Sequence, residues 1–186
     1  IFISIMRIIS GSKKGIVIHP PSGLPIRPTT DFCKESLFNI LENQVYFDKI
    51  SVLDLFAGSG AISFEFASRG SKDVVAVDKF SKCVGFIRSE SIRHGLKQIK
   101  TFREDCLKYL KRSAKTFDII FADPPYNYTQ YHEMIDLVFG KNQLNKSGML
   151  IIEHAEQINF SDHAFFKEKR KYGQSILSFF QDKTDK

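Results

Sequence analysis

Apolar positions recur along this chain with two periods. Short unbroken aliphatic runs alternate with longer stretches in which apolar residues return every three or four positions, the patterns of buried strands and of helices lying on them. Over residues 31–43, Cys33, Leu37, Ile40 and Leu41 fall on one face of a helix that Thr30 or Asp31 can cap. Ser51-Val52-Leu53-Asp54-Leu55 is a short buried strand, Gly58-Ser59-Gly60 breaks the chain, and residues 61–69 form a helix. A second strand, Val74-Val75-Ala76-Val77, ends at Asp78; a helix follows over 81–95 with Val84, Ile87 and Ile92 turned inward. A third strand covers about residues 99–103, with a short helix over 106–113. Phe117-Asp118-Ile119-Ile120-Phe121 is the fourth strand and ends at Asp123-Pro124-Pro125-Tyr126. The helix over 129–140 turns Tyr131, Met134, Ile135 and Val138 to one side, and Met149-Leu150-Ile151-Ile152 is the fifth strand. The tail reads as a strand pair, 165–171 and 175–180, around Tyr172-Gly173.

Alternating strand and helix units with continuously apolar strands predict an α/β fold. Its sheet is doubly wound, mostly parallel and seven-stranded, with helices on both faces. The closing pair adds an antiparallel edge. Residues 1–28 differ from the rest: Gly11, Gly15, Pro20, Pro21, Gly23, Pro25 and Pro28 punctuate two β-branched runs, Ile8-Ile9 and Ile16-Val17-Ile18. This stretch is read as an N-terminal hairpin turning at 10–14, ahead of a main domain over residues 29–186.

At 186 residues the chain suits one domain, and 42% hydrophobic with 26% charged residues is ordinary for a globular protein. No apolar run approaches the roughly 20 residues of a membrane span, and Ile1-Phe2-Ile3-Ser4-Ile5 lacks the basic flank and cleavage site of a secretory signal. Met6 is read as the natural start. Three widely spaced cysteines, Cys33, Cys83 and Cys106, without a CxxC, argue against a disulfide framework or zinc site. They suit a reducing cytoplasm, and no metal is expected. The net charge of +6 is clustered. Residues 1–30 carry Arg7, Lys13, Lys14 and Arg27 and no acid; residues 97–115 carry seven basic residues against Glu104 and Asp105; residues 167–171 read Lys-Glu-Lys-Arg-Lys. Such clusters attract a polyanion, or simply form a solvated surface.

The loop Asp54-Leu55-Phe56-Ala57-Gly58-Ser59-Gly60 joins a strand to a helix, and Asp78 follows Gly58 by 20 residues at the end of the next strand. Glycines admit a ligand close to the backbone, and a carboxylate at that distance can accept from both hydroxyls of a ribose. Ser63 stands where G-x-G-x-x-G requires its third glycine, and there is no Lys-Ser/Thr ending of a phosphate loop. Both departures count against a pyrophosphate ligand and for a nucleoside without phosphate, such as S-adenosylmethionine. Asp54 can then receive the ammonium of its methionine moiety. Asp105 can accept from the adenine amine, cap the helix over 106–113, or do both.

Asp123-Pro124-Pro125-Tyr126 is the most specific signal. The exocyclic amine of a nucleobase is a poor nucleophile because its lone pair is delocalised into the ring. Two acceptors for its N–H bonds, the Asp123 carboxylate and the Pro124 carbonyl, favour a pyramidal nitrogen. Consecutive prolines fix the carbonyl in place. Tyr126 can stack on a base that has left its own stack.

Together these stretches resemble a family of bacterial 16S ribosomal RNA guanine-N2 methyltransferases, the D-type methyltransferases of the small ribosomal subunit. The matching segments are Met6-Arg7-Ile8-Ile9-Ser10-Gly11, Arg27-Pro28-Thr29-Thr30-Asp31 with Glu35-Ser36-Leu37-Phe38-Asn39, Leu53 through Gly60, and Asp123-Pro124-Pro125-Tyr126. The resemblance implies a class I, Rossmann-like methyltransferase. S-adenosylmethionine would be the donor, S-adenosylhomocysteine the product, and a guanine of 16S rRNA, in the small subunit or its precursor, the acceptor. It implies that Thr29, Thr30, Phe56, Ala57, Lys79 and Cys106 join Asp54, Gly58, Gly60, Asp78 and Asp105 at the cofactor. It also implies that Arg7, Lys13, Lys14 and Arg27 grip RNA. A monomer is expected. The tetrapeptide serves any exocyclic amine, so adenine-N6 methylation of DNA or RNA stays open beside guanine-N2. A non-catalytic RNA-binding assembly factor is the alternative outside enzymes.

Overall fold

The computed structural model describes residues 5–24 and 31–182. In chain order the elements are strands β1 (Met6–Arg7) and β2 (Val17–Ile18), helix α1 (Asp31–Glu42), β3 (Ser51–Leu55), α2 (Ala61–Ser68), β4 (Asp73–Asp78), α3 (Ser81–Arg93), β5 (Ile99–Arg103), α4 (Cys106–Arg112), β6 (Phe117–Ala122), α5 (Tyr131–Gly140), β7 (Leu144–Ala155), β8 (Phe166–Tyr172) and β9 (Ser175–Phe180). The main sheet has seven strands in the order β5-β4-β3-β6-β7-β9-β8. Pairing is parallel from β5 through β7 and antiparallel for β7–β9 and β9–β8, the mostly parallel sheet with an antiparallel edge that the pattern predicts.

The central strands β3, β4 and β6 are almost continuously apolar because both of their faces are covered. Val52, Val74, Ile119 and Ile151 pack with Leu37, Phe38 and Leu41 of α1 and Phe64 and Phe66 of α2. Their neighbours Leu53, Val75, Ile120 and Leu150 point the other way, into a layer with Leu110 of α4 and Met134, Ile135 and Val138 of α5. The period of two along each strand thus feeds two cores. At the end of the sheet where these strands begin, Asp118 holds three strands in register. Its carboxylate accepts from the Ser51 amide and hydroxyl at 2.7 and 2.8 Å and from the Asn145 side-chain amide at 2.9 Å.

Three details correct the sequence reading. Ile92 does not turn inward; it is 76% exposed. At about 100° per residue it lies about 140° round the helix from Ile87, whereas Ser91 lies about 40° away. Ser91 takes the buried position, its hydroxyl donating to the Ile87 carbonyl at 2.6 Å. The fifth strand is longer than Met149-Leu150-Ile151-Ile152 and begins at Leu144, across a register shift opposite Phe117 and Ile119. Its first residues, Asn145-Lys146-Ser147-Gly148, have the composition of a turn. The hairpin also differs: β1 and β2 pair Met6 with Ile18, and Ile9 leaves the ladder. The cause is Glu65 on α2, fully buried, whose carboxylate accepts from the Ile9 and Ser10 amides at 2.8 and 3.0 Å. Ser68 adds to the dock, accepting from the Lys13 amide and donating to the Ser10 carbonyl. Gly11 has φ +82°, and a Cβ there would sit 1.9 Å from the Ser68 carbonyl oxygen, so only glycine fits. Met6, Ile8 and Ile18 of the hairpin are buried in the same core as α1 and α2.

Candidate functional site

The chain runs from β3 outward to β4 and β5, then returns to β6 on the other side of β3. That reversal leaves a crevice above the carboxyl ends of β3 and β6, where ligands of open α/β sheets bind. Leu55 and Ala122 are register partners, so the loop after β3 and the Asp-Pro-Pro segment after β6 leave the sheet side by side. Between them lies a cavity of about 470 Å³, the size of a cofactor pocket. Asp54 and Phe56 through Ser59 line it from β3 and its loop, Asp78 and Lys79 from the end of β4. Asp105 and Cys106 line it from the start of α4, and Asp123, Pro124 and Pro125 from the end of β6.

Asp54, Asp78 and Asp105 are each held by hydrogen bonds. Asp78, 8% exposed, accepts from the Gly58 amide at 2.9 Å and the Phe80 amide at 2.8 Å, which ties β4 to the glycine loop. Asp105 is the N-cap of α4; its Oδ1 accepts from the Leu107 and Lys108 amides at 3.0 and 3.2 Å. Asp54, 2% exposed, accepts at Oδ2 from the Ser63 amide at 3.1 Å and the Ser63 hydroxyl at 2.5 Å. Burial pushes its carboxyl up to about 7; the Ser63 hydrogen bonds pull the other way, and the charge of Asp78 adds to the rise. Burial also lifts the Cys106 thiol to about 11, against a 3.5 Å contact with the Tyr128 hydroxyl.

The glycine loop depends on backbone freedom. Gly58 and Gly60 have φ of 55° and 82°. Gly60 does not line the cavity; it is the N-cap of α2, and its amide donates to the Ala57 carbonyl at 2.7 Å. Phe56 also has positive φ, 61°, and its ring meets Tyr128 edge-on at 5.1 Å. Tyr128 lines the cavity, held by its amide to the Pro125 carbonyl at 2.8 Å. Tyr126 is outside the lining and 68% exposed.

The remaining expected residues fall elsewhere. Thr29, Thr30 and Arg27 lie outside the described residues. Arg7, Lys13 and Lys14 sit on the docked hairpin, Arg7 and Lys14 exposed and Lys13 half-buried. Four of the seven basic residues over 97–115 are ion-paired: Lys100 and Lys115 with Asp73, Lys111 with Glu133, and Arg112 with Glu104. Sequence reasoning passed over three groups: Tyr128, Glu65 as hairpin anchor, and Ser63 as partner of Asp54. Ser63 was visible only as a missing glycine; Tyr128, two residues past the tetrapeptide, carried no separate signal.

Comparison with known proteins gives the family of the chain and supports its fold. A "ribosomal RNA small subunit methyltransferase D" of Buchnera aphidicola subsp. Baizongia pistaciae is 31% identical over 84% of this chain and 80% of its own length. A Bacillus subtilis protein whose provisional name is rRNA methyltransferase YlbH is 33% identical over 95% of this chain and 98% of its own length. The Escherichia coli structure provisionally called methyltransferase yhhF superposes with a TM-score of 0.82 at 24% identity, covering 95% of this chain and 97% of that one. Its fold is the Rossmann-like methyltransferase fold expected from the sequence. The model of the family described as Conserved hypothetical protein 95 matches residues 6–181. The family resemblance carried by the motifs is thereby borne out, and the chain belongs to the Conserved hypothetical protein 95 family.

Proposed function

We propose that this chain is an S-adenosylmethionine-dependent methyltransferase of small-subunit ribosomal RNA. The acceptor is the exocyclic N2 amine of one guanine in 16S rRNA, of the position-966 type, presented by the small subunit or its precursor. The observation that carries this reading is the convergence of the Asp123-Pro124-Pro125 segment and the glycine loop on one cavity at the β3/β6 switch point. The names of the rRNA methyltransferase relatives support the substrate class.

The residues present fit the cofactor. Among the described residues no hydrogen bond reaches Oδ1 of the buried Asp54, which leaves that oxygen for an ammonium. Asp78, at the end of β4, retains acceptor capacity for ribose hydroxyls beside its two backbone bonds. Asp105 uses Oδ1 as a cap and can offer Oδ2 to an adenine amine. Phe56 and Tyr128 supply apolar walls. When bound, S-adenosylmethionine supplies an electrophilic methyl carbon on a sulfonium. This chain's part is to hold the target amine: the Asp123 carboxylate and the Pro124 carbonyl accept its two N–H bonds and draw nitrogen lone-pair density out of the ring. The proline pair keeps the Pro124 carbonyl aimed with no reorganisation, which is preorganisation for the transition state. Tyr126, exposed beside the mouth, offers a ring to an unstacked base. The docked hairpin with Arg7, Lys13 and Lys14 contacts the RNA backbone.

Radiolabelled methyl transfer to small subunits from a strain lacking this gene, followed by nucleoside mass analysis, tests the reading. N2-methylguanosine is the expected product; N6-methyladenosine, or no incorporation, overturns it.

A further inference from the structure

The position that departs from G-x-G-x-x-G has a specific occupation. Ser63 is fully buried in the first turn of α2, whose N-cap, Gly60, has no side chain. The first amides of a helix need acceptors from outside it. Here Asp54, reaching over from β3, accepts from the Ser63 amide, and the Ser63 hydroxyl donates a second, shorter bond to the same oxygen, Oδ2. Both donors converge on one side of the carboxylate, and the Asp54 side chain lines the cavity. A glycine at 63 would keep only the amide.

We infer that Ser63 is a positioning residue for the amino-acid end of the methyl donor: by clamping Oδ2 it fixes the Asp54 carboxylate and presents Oδ1 to the ligand's ammonium. The inference rests on reading the cavity as an S-adenosylmethionine site, and it adds a residue to that site. The charged surroundings make the clamp necessary. Asp78 faces the cavity from β4, Asp123 from the end of β6, and Glu104 and Asp105 from the start of α4; Lys79 is the basic side chain lining it. In this acidic, buried setting a carboxylate tends to take up a proton, and the neutral acid would not attract an ammonium. Asp54 accordingly stands at about 7, burial being the main cause and the Ser63 bonds the main opposition. Loss of the hydroxyl raises it further, so ligand binding shifts to higher pH.

Titration calorimetry with S-adenosylhomocysteine between about pH 6 and 8.5 tests this, on wild type, Ser63→Ala, Ser63→Gly and Ser63→Thr. The control ligand is 5′-methylthioadenosine, which lacks the amino-acid end. The two variants without a hydroxyl are expected to bind S-adenosylhomocysteine about tenfold more weakly near pH 6.5. The pH of half-maximal affinity should rise by about one unit, the worth of one charged hydrogen bond. Ser63→Thr restores the profile, and 5′-methylthioadenosine binding stays unchanged throughout. Equal loss for both ligands marks a merely structural role and overturns the inference, as does an unshifted pH profile in folded Ser63→Ala and Ser63→Gly. Wild-type protein that binds neither ligand overturns the reading of the cavity itself.

Discussion

Replacing Glu65 by alanine tests how the N-terminal hairpin is attached. The Glu65 carboxylate is fully buried and accepts from three donors: the Ile9 amide, the Ser10 amide and Nε of Arg69 at 2.8 Å. Its removal leaves two backbone amides without their acceptor and deprives a guanidinium that is only 6% exposed, that of Arg69, of its buried partner. Breaking a buried, hydrogen-bonded ion pair costs about 3–5 kcal/mol. Arg69 keeps a half-exposed second partner, Glu42, and stacks over the Phe38 ring at 4.6 Å, so the lower end, about 3 kcal/mol, is the better figure. For a chain of this size that lowers Tm by about 6–12 °C. Scanning calorimetry reads the loss, and hydrogen exchange locates it: the Ile9 and Ser10 amides should exchange faster relative to the β3 and β6 amides. Glu65→Gln, which keeps an acceptor but loses the charge, should fall between. A Tm drop under about 3 °C with both amides still protected would refute the assignment of Glu65 as the hairpin's anchor.

Three further outcomes are expected. Asp123→Ala should lower methyl transfer by at least about 10²–10³-fold, the cost of losing one preorganised polar group at the reacting centre. S-adenosylhomocysteine should still bind, because none of the Asp54, Asp78 or Asp105 hydrogen bonds involves Asp123; full turnover would remove the proposed mechanism. Gly60→Ala places a Cβ 2.8 Å from Phe64 and 2.9 Å from Ile87 at φ +82°, and should cost about 2–4 kcal/mol in urea unfolding; a neutral effect would mean the loop turns differently. Charge reversal of Lys13 and Lys14 together should weaken RNA binding and flatten its dependence on salt, with no change in S-adenosylhomocysteine affinity; an unaltered salt slope would take the hairpin out of the RNA contact.

The layout of strands and helices was legible in the chain because it depends on local periodicity. Leu53, Val75 and Ile120 sit in continuous apolar runs whatever they pack against, and Cys33, Leu37, Ile40 and Leu41 share a face in any helix of that span. The glycine loop, Asp78 and the Asp-Pro-Pro segment were legible as chemistry for a similar reason: backbone freedom, a carboxylate and a rigid carbonyl are properties of the residues themselves. What the linear order could not supply is who meets whom. The register of Leu55 against Ala122 brings together two segments more than 60 residues apart, and that pairing turns two motifs into one cavity. The same holds for Glu65, which reads as an ordinary helix acid until the hairpin amides arrive 55 and 56 positions away. It holds for Ser63, whose hydroxyl matters because Asp54 is buried beside it. Ile92 failed in the opposite direction: its apolar side chain matched a coarse helical count, but the sheet covers only one stripe of α3 and left it in water. Burial and long-range partnership are collective properties of the packed chain, and they decide which of the locally competent groups do chemistry, which brace it, and which face solvent.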